Sequence, residues 1–87
     1  MKAVAIYNPN SEHSRSVEEF NRNLEVRTGR KLDLLSTETP EGSAMAELYG
    51  IMDYPAIVVT TDDGKMQKLW QGQQLPLIDE VVSYLIA

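Results

Sequence analysis

The chain has 87 residues, 43% of them apolar, which is enough for one small domain with a modest core. It contains no cysteine and one histidine, so disulfides, thiol chemistry and a conventional zinc site are all disfavoured. Its formal net charge is −5, which argues against general nucleic-acid binding, and no apolar run approaches the roughly 18 residues of a membrane span.

The charge is uneven. Residues 1–40 balance six basic side chains against six acidic ones, whereas residues 41–87 carry two basic and seven acidic. An acidic surface of this kind keeps a small domain soluble. The start of the chain, Met1-Lys2-Ala3-Val4, has too little apolar length for a signal peptide, so a cytoplasmic protein is expected.

Residues 2–7 are predicted to form a buried strand, with Val4 and Ile6 on one face and small alanines on the other. Next comes the polar stretch Tyr7-Asn8-Pro9-Asn10-Ser11-Glu12-His13-Ser14, a turn that leads into a helix over residues 11–28. Ser11 or Ser14 is expected to cap that helix, and Ser16-Val17-Glu18-Glu19 also fits a capping box. Val17, Phe20 and Leu24 recur at helical spacing, and Gly29 supplies a C-terminal stop.

Lys31-Leu32-Asp33-Leu34-Leu35-Ser36 reads as a second strand, which completes a βαβ unit with parallel strands and a right-handed crossover. Thr39-Pro40-Glu41 opens a second helix with a capping Thr and a first-position Pro; Ala44, Met45, Leu48 and Tyr49 form its apolar face. Gly42 weakens the first turn of that helix and Gly50 ends it.

Ala56-Ile57-Val58-Val59-Thr60 is a third strand, Asp62-Asp63-Gly64 a hairpin turn, and residues 66–71 the antiparallel return. Trp70 is expected to pack rather than to act chemically, and Met45, Met52 and Met66 read as ordinary fillers, with a place in a peptide groove the lesser reading for Met52. A loop at 72–75 precedes a last helix opened by Pro76, with Leu77, Ile78, Val81, Val82 and Leu85 on its apolar face. The order β-α-β-α-β-β-α predicts an α/β fold with a four-stranded mixed sheet and helices on both faces.

This order resembles the thioredoxin fold in its minimal, glutaredoxin-sized form. Two stretches carry the resemblance. Ala46-x-x-Tyr49-Gly50-Ile51-x-x-x-Pro55-Ala56 is similar to the family's A-x-x-Y-x-I-x-x-x-P-T around its cis-proline, with Ala56 departing from the usual Thr. Tyr7-x-x-x-Ser11-Glu12-His13-Ser14 falls where the family has an aromatic residue followed by C-x-x-C, with serine at both cysteine positions. The resemblance spans essentially the whole chain and implies a single domain over residues 1–87.

It implies that Ser11 stands at the attacking position and Ser14 at the resolving position of a thiol–disulfide oxidoreductase, with His13 between them. It also implies that Tyr54 and Pro55, with Met52 beside them, line the groove for an extended substrate segment. A serine hydroxyl is far less acidic than a thiol and forms no disulfide, so this sequence cannot run the redox cycle. Two readings follow. One is an oxidoreductase lineage in which cysteines have been replaced by serine at 11 and 14. The other is a naturally non-catalytic module that captures a peptide beside the cis-proline.

The expected partner is a protein or peptide. Glutathione is the lesser candidate, because Gly72-Gln73-Gln74 matches the family's glutathione turn poorly and Arg15 is only a minority carboxylate partner. A serine-dependent glutathione transferase is disfavoured by the missing second helical domain. No metal and no cofactor are implied, and serine hydrolysis lacks a nucleophile-elbow pattern.

Overall fold

The structure, a computed structural model, describes residues 1–72 and 74–85. Gln73, in the loop expected at 72–75, lies outside the described residues. The elements are β1 (Lys2–Tyr7), α1 (Ser14–Thr28), β2 (Asp33–Ser36), α2 (Pro40–Leu48), β3 (Ala56–Thr60), β4 (Met66–Gln71) and α3 (Ile78–Leu85). They build one mixed sheet in the order β2-β1-β3-β4. β1 runs parallel to β2 and antiparallel to β3, and β3 is antiparallel to β4. This is the α/β architecture that the sequence predicts.

Alternation along β1 divides the core. Ala3, Ala5 and Tyr7 face a layer made by Val17, Phe20 and Leu24 of α1 with Val81 and Leu85 of α3. Val4 and Ile6 face the other way, against Ala46, Ile51, Ala56 and Val58. The small side chains let two helices approach one face closely, while the branched residues fill the face covered by the shorter α2. All five residues of β3 are buried, which explains its unbroken β-branched run. Trp70 packs edge-on against Tyr84 with ring centroids 5.6 Å apart, a packing role as expected.

Gly29 ends α1 at φ 75, a conformation that strongly favours glycine, and its N–H donates to the Glu25 carbonyl at 2.7 Å. α2 begins as predicted: the Thr39 hydroxyl accepts the Gly42 N–H at 3.1 Å and Pro40 takes the first turn. It ends in a paired motif in which Gly50 N–H donates to Glu47 O and Ile51 N–H to Ala46 O.

Several boundaries differ from expectation. α1 begins at Ser14 rather than at residue 11, and no side chain caps it; its N-cap residue is His13. Ser11 is instead spent on the preceding turn, and Ser16 lies inside the helix, which removes the expected capping box. β2 begins at Asp33 because Leu32 is drawn under α1, where its N–H donates to Asn21 Oδ1 at 2.7 Å. Ala44 and Leu48 of α2 are exposed, and the buried side is Gly42 and Ala46. Gly42 is the contact point of α2 with the end of β2, because a Cβ there would overlap the Ser36 carbonyl. That close approach rotates the helix so that Leu48 faces solvent. α3 begins at Ile78, not Pro76, and Leu77 is exposed. The Glu80 carboxylate reaches back to accept the Leu77 N–H at 3.1 Å, which fixes this later start.

Tyr7 offers a test of the core between β1 and α1. Burial pushes its phenol above the ordinary value of 10.0, and the nearby Glu18 carboxylate adds to the rise. A raised acid favours the folded state only while it is protonated. Its contribution is therefore complete below the unfolded-state value near pH 10 and is lost as pH rises through the folded value. Tyr7→Phe is expected to flatten the fall in urea midpoint above about pH 10. An unchanged alkaline decline would show that another group drives it.

Candidate functional site

The C-terminal end of β1 and the N-terminal end of β3 lie side by side, since Ile6 pairs with Ala56. The residues that follow Tyr7 and precede Ala56 therefore emerge at the same end of the sheet. The turn after β1 is knotted by its own polar groups. Asn8 Oδ1 accepts the Asn10 N–H at 2.9 Å, and the Asn8 carbonyl accepts both the Ser11 N–H at 3.1 Å and the Ser11 hydroxyl at 2.6 Å. His13 Nε2 accepts the Asn8 N–H at 3.3 Å.

These bonds decide what the turn can do. The Ser11 hydroxyl is committed as a donor to a main-chain carbonyl. The ring nitrogen that could have served it as a base holds Asn8 instead. Ser14 N–H donates to Ser11 O at 3.3 Å, so residues 11–14 close a tight turn directly before the helix. The positive end of the α1 dipole accordingly falls at Ser14, three residues past the expected start. Asn10, Ser11, Glu12 and His13 line an open hollow of about 580 Å³, and no residue of the 52–55 segment lines it. The two sets of candidate residues thus share one end of the sheet without sharing one cavity.

The second set sits on the approach to β3. The Tyr54–Pro55 peptide bond is cis. Pro55 is fully buried, Tyr54 is half-buried against the Val4–Ile6 side of the core, and Met52 is 81% exposed. The Pro55 carbonyl accepts the Gly72 N–H at 3.1 Å. Gln71, the last residue of β4, places one side-chain oxygen against two successive amides, at 2.9 Å from Met52 N and 3.2 Å from Asp53 N. The remaining groups stand out: among the described residues, neither the N–H nor the C=O of Tyr54 has a hydrogen-bond partner. Gln71 was not expected from the sequence, because its partners lie 18 and 19 residues away and no local pattern marks them.

Arg15, in the first turn of α1, lines a hollow with Ser14, Glu18, Glu19 and Arg22. Among the described residues no group of three or more His, Asp or Glu side chains is placed to hold a metal ion, and no helix is long and apolar enough to cross a membrane.

No protein-family model matches the chain, and no curated protein matches it by sequence. Solved structures do match it in shape. Thioredoxin 1 from Thermosipho africanus TCF52B is similar over 98% of this chain and 90% of its own, with a TM-score of 0.68 and 12% identity. A chain of the complex between ferredoxin:thioredoxin reductase and thioredoxin f2 is similar over 95% of this chain and 72% of its own, at TM-score 0.66 and 14% identity. A designed protein is similar over 97% of this chain and 71% of its own, at TM-score 0.62 and 25% identity. The fold is thioredoxin-like.

Proposed function

We propose that the chain is a thioredoxin-like binding module that captures an extended protein or peptide segment along Tyr54, and that it carries out no thiol–disulfide exchange in this sequence. The observation that carries the reading is the Tyr54 peptide group. Its neighbours are bonded on both sides, by Gln71 to Met52 and Asp53 and by Gly72 to Pro55, while its own N–H and C=O have no partner among the described residues. An extended segment that pairs there gains two main-chain hydrogen bonds on a pre-set edge. Met52, exposed beside it, offers adaptable apolar contact. A structural neighbour occurs in a complex with a reductase, which fits a protein partner. Glutathione is less suited, because the Gly72 N–H is already spent on Pro55.

A second reading keeps the thioredoxin-type lineage: Ser11 and Ser14 close a turn in front of α1, at the positions where the resemblance places cysteines. A coding sequence with cysteine at 11 and 14 would favour that reading. Serine codons would favour the module.

Gln71→Ala tests the capture reading. It frees the Met52 and Asp53 amides and removes the pre-set edge, so the affinity for an extended peptide is expected to fall about tenfold, the weight of one or two hydrogen bonds. Titration followed by amide chemical shifts reads both affinity and place. An unaltered affinity, with shifts confined to the far end of the sheet, would overturn the reading.

A further inference from the structure

We infer that the segment captured at Tyr54 is cationic, with Lys or Arg at the position that faces Asp53. The inference rests on the capture reading and adds the chemistry of the partner.

The register comes first. Gln71 occupies the N–H groups of Met52 and Asp53, so Tyr54 is the residue of this segment left to exchange both main-chain bonds with a partner. In an antiparallel pair, the partner residue opposite Tyr54 makes both bonds, and the next one along lies opposite Asp53. Directly opposed side chains of this kind sit about 5 Å apart at Cβ, where opposite charges attract and like charges repel.

Charge comes second. Among the described residues the Asp53 carboxylate has no hydrogen-bond or ion-pair partner. Two further carboxylates stand at this end of the sheet. Glu12 lies in the turn after β1, and Glu38 follows β2, where Asn10 Nδ2 holds it at 3.3 Å. Neither has a cationic partner among the described residues. Arg15 stands at this end too, at the start of α1, but it shares its hollow with Glu18 and Glu19. His13 turns its Nε2 onto the Asn8 N–H at 3.3 Å. Arg22 lies further along α1. Lys2 opens β1 at the opposite end of the sheet, and Lys65 sits in the hairpin turn there. Lys68 is over the Trp70 ring. Three carboxylates with no ion-pair partner among the described residues, on a chain of net charge −5, attract a cationic segment at long range and reward it at contact. Met52 adds an apolar contact beside the charged position.

Three synthetic peptides of equal length test this. Each has the same apolar extended centre and is flanked by lysine, glutamine or glutamate. Fluorescence anisotropy at about 50 mM and about 500 mM salt reads the affinities. At low salt the lysine peptide is expected to bind about tenfold tighter than the glutamine peptide, and the glutamate peptide weakest; at high salt the gap should shrink to about twofold. Asp53→Asn should remove most of the lysine preference. Equal affinities for the three peptides, or a lysine preference that survives in Asp53→Asn, would overturn the inference while capture at Tyr54 stands. Binding of none of them at millimolar concentration would overturn both.

Discussion

Gly42→Ala is expected to cost the fold about 3 kcal/mol, a large effect for one added methyl group. The reason is steric. A Cβ at position 42 would overlap the Ser36 carbonyl oxygen and lie 2.8 Å from the carbonyl carbon. That carbonyl cannot swing away freely, because it accepts the Thr39 N–H at 3.2 Å and the Thr39 hydroxyl at 2.9 Å. The same hydroxyl caps α2 by accepting the Gly42 N–H. Relief of the overlap therefore means lifting α2 from the end of β2. That breaks the cap or separates Ala46 from Val4, Ile6 and Val58. Urea unfolding of Gly42→Ala beside the exposed control Ala44→Ser would measure it. A loss under about 1 kcal/mol would show that the helix settles elsewhere without penalty.

The paired replacement Ser11→Cys and Ser14→Cys is expected to give the largest change in chemistry: from no disulfide exchange to a rate above that of free dithiol. Residues 11–14 form a turn closed by Ser14 N–H to Ser11 O, and the ends of such a turn lie within about 7 Å at Cα. That is close to the separation a disulfide spans, about 4.4–6.8 Å. The helix dipole acts most strongly on position 14, because α1 starts there. A thiol whose acidity is raised by one unit at a helix start gives roughly tenfold more thiolate at neutral pH. Reduction of a protein disulfide, followed by absorbance or fluorescence, reads the outcome for the variant and the parent chain. Activity no greater than an equal concentration of free dithiol would count against the lineage reading of this turn. It would leave the peptide-capture reading in place, since that reading uses neither hydroxyl.

The two variants also mark where sequence reading succeeds. Element order, sheet composition, the hairpin and the Thr39–Pro40 helix start are all visible locally: alternation in Ala3–Tyr7, the β-branched run of β3, Asp62-Asp63-Gly64, and a capping Thr before Pro. These signals act within a few residues, so a single chain displays them. What misleads is competition between equally good local options. Ser11, Ser14 and Ser16 can each cap a helix, and the choice goes to the Asn8-centred turn, which takes the Ser11 hydroxyl and the His13 ring before either can serve α1.

Contacts distant in sequence are hidden for a different reason. Gly42 reads as a weak helix residue until Ser36 is seen against it, and Leu48 reads as core until that contact rotates α2. Leu77 reads as part of an apolar face but stands 71% exposed, because Glu80 fixes the start of α3 one residue after it. At the candidate site, Tyr54 and Pro55 were legible through the stretch that runs from Ala46 to Ala56. The division of labour between them was not: Pro55 is buried and tied to Gly72, while Tyr54 presents its peptide group. Gln71, which holds the Met52 and Asp53 amides, is an ordinary strand residue in the sequence.

The most direct test of the account is the hydrogen-exchange rate of the Tyr54 amide with and without a bound extended peptide. Met52 and Asp53 donate to Gln71 already, so their amides should change little, whereas the Tyr54 N–H, without a partner among the described residues, should gain one on binding. The account predicts that Tyr54 exchange slows by about tenfold or more on saturation, with Met52 and Asp53 within about twofold of their free rates. An unchanged Tyr54 amide, with protection appearing instead around Lys2, Asp33 and Tyr49 in the hollow at the opposite end of the sheet, would contradict it.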